Sequence, residues 1–105
     1  MKRYRVNIPS TVEELIFQQV LYISSDSVQN ALRWEQRLRK SIRGIGDIPH
    51  GYAIDPAASE RSGIQVRKMV FERTYLVFYR VNDQAQVVEL VSFRHGARLP
   101  HRGEP

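Results

Sequence analysis

The sequence predicts an α+β fold in the order β-α-α-β-β-β, a mostly antiparallel four-stranded sheet with a helical hairpin packed on one face. Three observations carry this expectation. Residues 2–8 alternate apolar and polar side chains and stop at Pro9. Two stretches with helical apolar spacing follow, separated only by Ser25-Asp26-Ser27. The last third then holds three β-rich runs joined by short polar breaks, the pattern of an antiparallel meander.

In the first strand Tyr4, Val6 and Ile8 point one way and Arg3, Arg5 and Asn7 the other. Ser10-Thr11-Val12-Glu13 has capping-box spacing, so the first helix is expected from Ser10 to about Ser24. Val12, Leu15, Ile16, Val20 and Ile23 share one face. Phe17 and Leu21 fall on the opposite side as an i,i+4 apolar pair. A helix apolar on two sides lies between layers or offers an adhesive face to a partner.

The second helix is expected after Ser27, running to about Ile45, with Val28, Ala31, Trp34, Leu38, Ile42 and Ile45 inward. Arg33, Arg37 and Lys40 line its outer face, and Glu35 falls inside the apolar arc with Arg39 as its i,i+4 partner. Gly44 and Gly46 end the helix. Residues 47–62, with Pro49, Gly51 and Pro56, read as a loop with little structure of its own. Strands are then expected at about Ile64–Phe71, Tyr75–Val81 and Val87–Phe93, the last two joined through Asn82-Asp83-Gln84. If Val77, Tyr79 and Val81 face the helices, then Leu76, Phe78 and Arg80 face away.

A chain of 105 residues supports one core, placed here in a single domain over residues 1–98 with a flexible tail at 99–105. Cysteine is absent, which removes a disulfide framework, a thiolate metal site and a cysteine nucleophile. The first residues lack a signal-peptide core and no run approaches a membrane span, so a cytoplasmic protein is expected. No phosphate-binding glycine loop, dinucleotide fingerprint, nucleophile elbow or zinc-protease motif is present, and His50, His95 and His101 are scattered. No metal and no cofactor is expected.

The net charge is +5, from thirteen arginines and three lysines against eleven acidic residues. Arginine's planar fork suits carboxylate and phosphate, which points to an acidic partner. The distribution is uneven. Residues 9–32 hold Glu13, Glu14 and Asp26 and no basic residue, whereas the second helix, the later strands and the tail are basic. Arg67, Arg80 and Arg94 are expected on the open sheet face, with His95 and Arg98 just beyond the last strand. Arginine there would meet an anion, and His95 is the one histidine placed for proton transfer near neutral pH.

The run Tyr75-Leu76-Val77-Phe78-Tyr79-Arg80-Val81, then Val87–Phe93, then Arg94-His95-Gly96-Ala97-Arg98, resembles the C-terminal half of the ParE/RelE superfamily. These are the toxins of bacterial type II toxin–antitoxin, or plasmid-stabilisation, pairs, and the resemblance extends upstream through the helical pair. It implies the same β-α-α-β-β-β fold and a cognate antitoxin whose acidic, partly disordered C-terminal segment folds onto the toxin, here against Phe17 and Leu21. RelE-like members cut messenger RNA on the ribosome and place an arginine after the aromatic that opens the third strand. That position here is Leu76. The resemblance therefore favours ParE, a branch associated with poisoning DNA gyrase by binding, with Arg67, Arg80, Arg94, His95 and Arg98 as target contacts and no catalytic residue. A RelE-like nuclease, with Arg67, His95 and Arg98 as its working set, and a non-toxic degenerate member are the alternatives.

Overall fold

The structure, a computed structural model, describes residues 3–96. Its elements are β1 (Arg5–Asn7), α1 (Ser10–Ser24), α2 (Val28–Gly44), a short 3-10 turn (Ile45–Asp47), α3 (Pro56–Ser62), β2 (Arg67–Phe71), β3 (Tyr75–Asn82) and β4 (Val87–His95). The four strands form one sheet in the order β1-β4-β3-β2. The β2–β3 and β3–β4 pairs are antiparallel, but β1 runs parallel to β4, so the sheet is mixed. The expected tail at 99–105 lies outside the described residues.

The expected capping box does not form. Ser10 is already helical, and Pro9 precedes it in extended backbone, with no side chain capping the helix. Glu13 turns instead to Arg39 on α2, whose guanidinium reaches both Glu13 oxygens at 2.7 and 3.2 Å. A two-pronged guanidinium–carboxylate pair is stronger than a bond to one neutral backbone donor. The same guanidinium holds Glu35 at 2.9 Å, as its i,i+4 spacing suggests. Arg39 thus ties the two helices together. Ser27 caps α2 as expected, accepting from the Asn30 amide at 3.1 Å.

Alternation along the strands divides the buried residues into two cores. The larger lies between the sheet and the α1–α2 hairpin and contains Val12, Ile16, Trp34, Leu38, Ile42, Val77, Tyr79, Val88, Leu90 and Phe93. Trp34 is its centre, meeting Phe71, Tyr75 and Phe93 edge-on at centroid distances of 6.3, 5.0 and 6.1 Å. Three helix positions depart from the expected faces. Leu15 and Val28 are exposed, and Gln19 is buried in α1. Gly46 follows α2 because nothing larger fits. A Cβ there would collide with the carbonyl oxygen of Tyr4, whose amide donates to the Gly46 carbonyl.

The expected loop at 47–62 contains a helix. Asp55 caps α3 by accepting from the Ala58 amide at 3.0 Å, Pro56 opens it, and Gly63 closes it at φ 76°. This helix crosses the outer sheet face and buries Phe78 with Val66 and Leu76 in the second, smaller core. Phe78 faces away from the helical hairpin as expected, yet it is only 3% exposed. Strand β2 starts at Arg67 rather than Ile64, because Val66 turns under α3 and its carbonyl accepts from the Asp55 amide.

Candidate functional site

Of the five basic residues expected to form one target surface, the four within the described residues do not share a location. Arg67 lies opposite Tyr79 in the β2–β3 ladder and shares its face with Met69 and Phe71, so it faces the helical side. The expectation that it joins the outer face is corrected by this register: Met69 and Phe71 enter the main core, and alternation carries Arg67 with them. Its guanidinium donates to the Tyr52 carbonyl at 2.7 Å and the His50 carbonyl at 3.3 Å. There it braces the segment before α3.

Arg80 does face outward. It pairs with Glu89 across the ladder, with nitrogens at 2.9 and 3.0 Å, and shares a shallow cavity with Arg5 and Asn7 of β1. Arg94 faces outward at the other end, its guanidinium stacked 4.8 Å from the Phe78 ring. His95 is on the helical side again, edge-on to Tyr75 at 5.0 Å. It borders a cleft of about 280 Å³ with Leu15, Gln18, Gln19 and Tyr22 of α1. Arg98 lies outside the described residues.

This geometry bears on the nuclease set. Arg67 stands opposite Tyr79, and His95 opposite Tyr75, so the two are four residues apart along β3 and on either side of it. Four strand residues span roughly 13 Å, and the Arg67 guanidinium is committed to the Tyr52 and His50 carbonyls, so the two side chains are not assembled around one point. No group of histidine and carboxylate side chains suited to a metal ion occurs among the described residues.

The electrostatics follow the same division. Burial lowers the pKa of Arg94, the nearby Arg61 adds to the shift, and Asp55 opposes it. Burial pushes Tyr79 up to about 12, against the nearby charge of Arg67. Its hydroxyl donates to the Pro49 carbonyl at 2.9 Å. The Tyr4 hydroxyl donates to Asp83 at 2.7 Å and holds that carboxyl below its ordinary value, helped by His50. These contacts pin residues 47–55 to the β3–β4 hairpin.

The apolar pair on α1 is where its spacing put it. Phe17 is 54% exposed and Leu21 is 52% exposed. Tyr22 on α1 and Val28 and Leu32 on α2 are exposed as well. Sequence reasoning does not single out these three: Val28 reads as inward, although Val28 and Leu32 have the same i,i+4 spacing as Phe17 and Leu21, and Tyr22 follows Leu15 by seven.

Residues 10–100 match the family model described as ParE toxin of type II toxin-antitoxin system, parDE. No curated protein matches the chain. No helix among the described residues is long and apolar enough to cross a membrane.

Proposed function

The chain belongs to the ParE toxin family of type II toxin–antitoxin systems, and from that membership we propose that it acts in the cytoplasm by binding DNA gyrase, without making or breaking a bond itself. The observation that supports a binding mode is the separation of Arg67 from His95, with Leu76 standing where a nuclease arginine is expected. Cleavage by 2′-hydroxyl attack needs a base, an acid and a phosphate-stabilising cation at one point. Arg80 and Arg94, on the outer face, serve here as target contacts, and the same role is proposed for Arg67, His95 and Arg98.

The antitoxin covers Phe17 and Leu21 in this reading. Its acidic C-terminal segment is disordered when free and pays its ordering cost on binding. The basic outer face of α2, with Arg33, Lys40 and Arg43 exposed nearby, draws that segment in.

Purified protein is expected to inhibit gyrase supercoiling and to leave ribosome-bound messenger RNA intact. Induced expression arrests growth, and His95→Ala leaves the arrest largely unchanged. Loss of toxicity in that variant, with fold and antitoxin binding preserved, would move the reading to the nuclease. Single alanine substitutions of Arg80, Arg94 or Arg98 reduce growth arrest more than Arg33→Ala or Lys40→Ala. Each removes one positive charge, so equal effects would reduce the target surface to bulk electrostatics.

A further inference from the structure

Between α3 and β4, on the sheet face away from the helical hairpin, is a cavity of about 270 Å³. Ala58, Phe78 and Val91 form its apolar part, while Arg61, Ser92 and Arg94 supply the polar part. Its construction depends on an irregularity. Phe78 pairs with Ser92 and Tyr79 with Leu90, so Val91 is an extra residue in β4. The bulge turns two consecutive side chains, Val91 and Ser92, toward one cavity, which a regular strand cannot do.

The two arginines are short of acceptors. Arg3, Arg37, Arg39, Lys68 and Arg80 each hold a carboxylate. Neither Arg61 nor Arg94 forms an ion pair among the described residues. The Arg94 Nε is closed off from solvent and has no hydrogen-bond acceptor. Such a donor is costly to leave unmet. The cations also oppose each other, since Arg61 contributes to the disfavoured charge of Arg94. An anion placed between them would relieve both.

We propose that this cavity receives a carboxylate carried on an apolar group, presented by a protein partner as a C-terminal residue with an apolar side chain. The volume holds about one side chain and is smaller than a typical cofactor site of roughly 300 Å³ or more. The lining pairs an apolar floor with two guanidinium groups, and a chain terminus carries both features within one residue. Free phosphate suits it less. In the first turn of α3 the Asp55 carboxylate already accepts from the Ala58 amide and Pro56 has no amide to give, which leaves little of a backbone cradle for an inorganic anion. The site lies apart from Phe17 and Leu21 and does not depend on gyrase being the target.

The test is a side-chain and amide NMR titration of the full chain with N-acetyl-leucine, N-acetyl-leucinamide and inorganic phosphate. The free acid is expected to perturb the Arg61 and Arg94 Nε–H signals and the Val91 and Ser92 amides saturably. The amide and phosphate should do so at least fivefold more weakly. Arg61 is exposed, so Arg61→Gln spares the fold, and it should weaken the response about fivefold to tenfold, as loss of a charge-assisted contact does. An equal response to the amide, displacement by phosphate at equal concentration, or equal shifts at Arg5 and Lys40 would each overturn the proposal. Because no step reads toxicity or supercoiling, failure here leaves the gyrase reading standing.

Discussion

The two faces of the sheet are built from the same strands and differ in how completely they are sealed. The helical side closes over Trp34, Tyr79, Leu38 and Ile42, all between 0% and 4% exposed. Among the described residues the outer side has only α3 for cover, so Phe78 is buried while Val70 and Val91 remain 51% and 41% exposed. One face is committed to stability. The other keeps charge, apolar surface and a cavity within reach of solvent, which a binding protein needs and a core cannot supply.

The largest expected effect tests that division directly. Trp34→Ala should cost about 4–5 kcal/mol in denaturant unfolding, and Phe78→Ala about 3 kcal/mol, because an open site relaxes around a deletion more readily than a sealed one. Equal costs would mean that α3 seals its face as well as the hairpin does. The next effect separates stability from binding. The double substitution Phe17→Ala, Leu21→Ala should weaken antitoxin affinity by about 2–4 kcal/mol while changing unfolding free energy by under about 0.5 kcal/mol. Calorimetry against the antitoxin reads the first quantity and urea denaturation the second.

A smaller effect comes from the wall of the main core. Tyr79 has its pKa raised to about 12. A raised folded-state value means that the neutral phenol contributes stability below its ordinary value of 10.0, and this is lost as pH climbs toward 12. Tyr79→Phe should cost about 1 kcal/mol at pH 7, for one hydrogen bond, and should flatten the alkaline fall in stability. Ultraviolet titration should find Tyr79 among the last tyrosines to ionise. The smallest effect is at Asp83, on the surface. Its folded pKa is lowered, so its contribution is present above the ordinary value of 3.8 and lost as pH falls below it. Asp83→Asn should lower the melting temperature slightly at pH 7, and the difference should vanish at strongly acid pH.

How far the fold was legible depended on how long each pattern ran. The alternation through Tyr75–Val81 is long enough to fix which side each residue takes, and Val77 and Tyr79 face the helices as read. The Glu35–Arg39 pair was legible because i,i+4 contact is local. Helix α3 was not, since Pro56–Ser62 is too short to show an apolar period. Its signals were Asp55 before Pro56 and Gly63 after Ser62, the marks of a capped helix. The Arg67 assignment failed because the strand was started at Ile64 and its parity was left open. The bulge at Val91 has no sequence mark at all, since it exists only in the pairing of β4 with β3. The candidate target residues were legible as a group of charges and not as a site, because their faces depend on those two registers.

The parallel pairing of β1 with β4 has a consequence in time. Arg5 pairs with Val87 and Val6 with Val88, so β1 is completed by a strand made about eighty residues later. As the chain emerges from a ribosome, the helical hairpin can form early from local contacts, but β1 has no strand partner until β4 has been synthesised. Until then the nascent chain presents an unpaired edge and half of a core. Synthesis order thus delays the assembled sheet, and with it any activity that needs both faces, until β4 arrives.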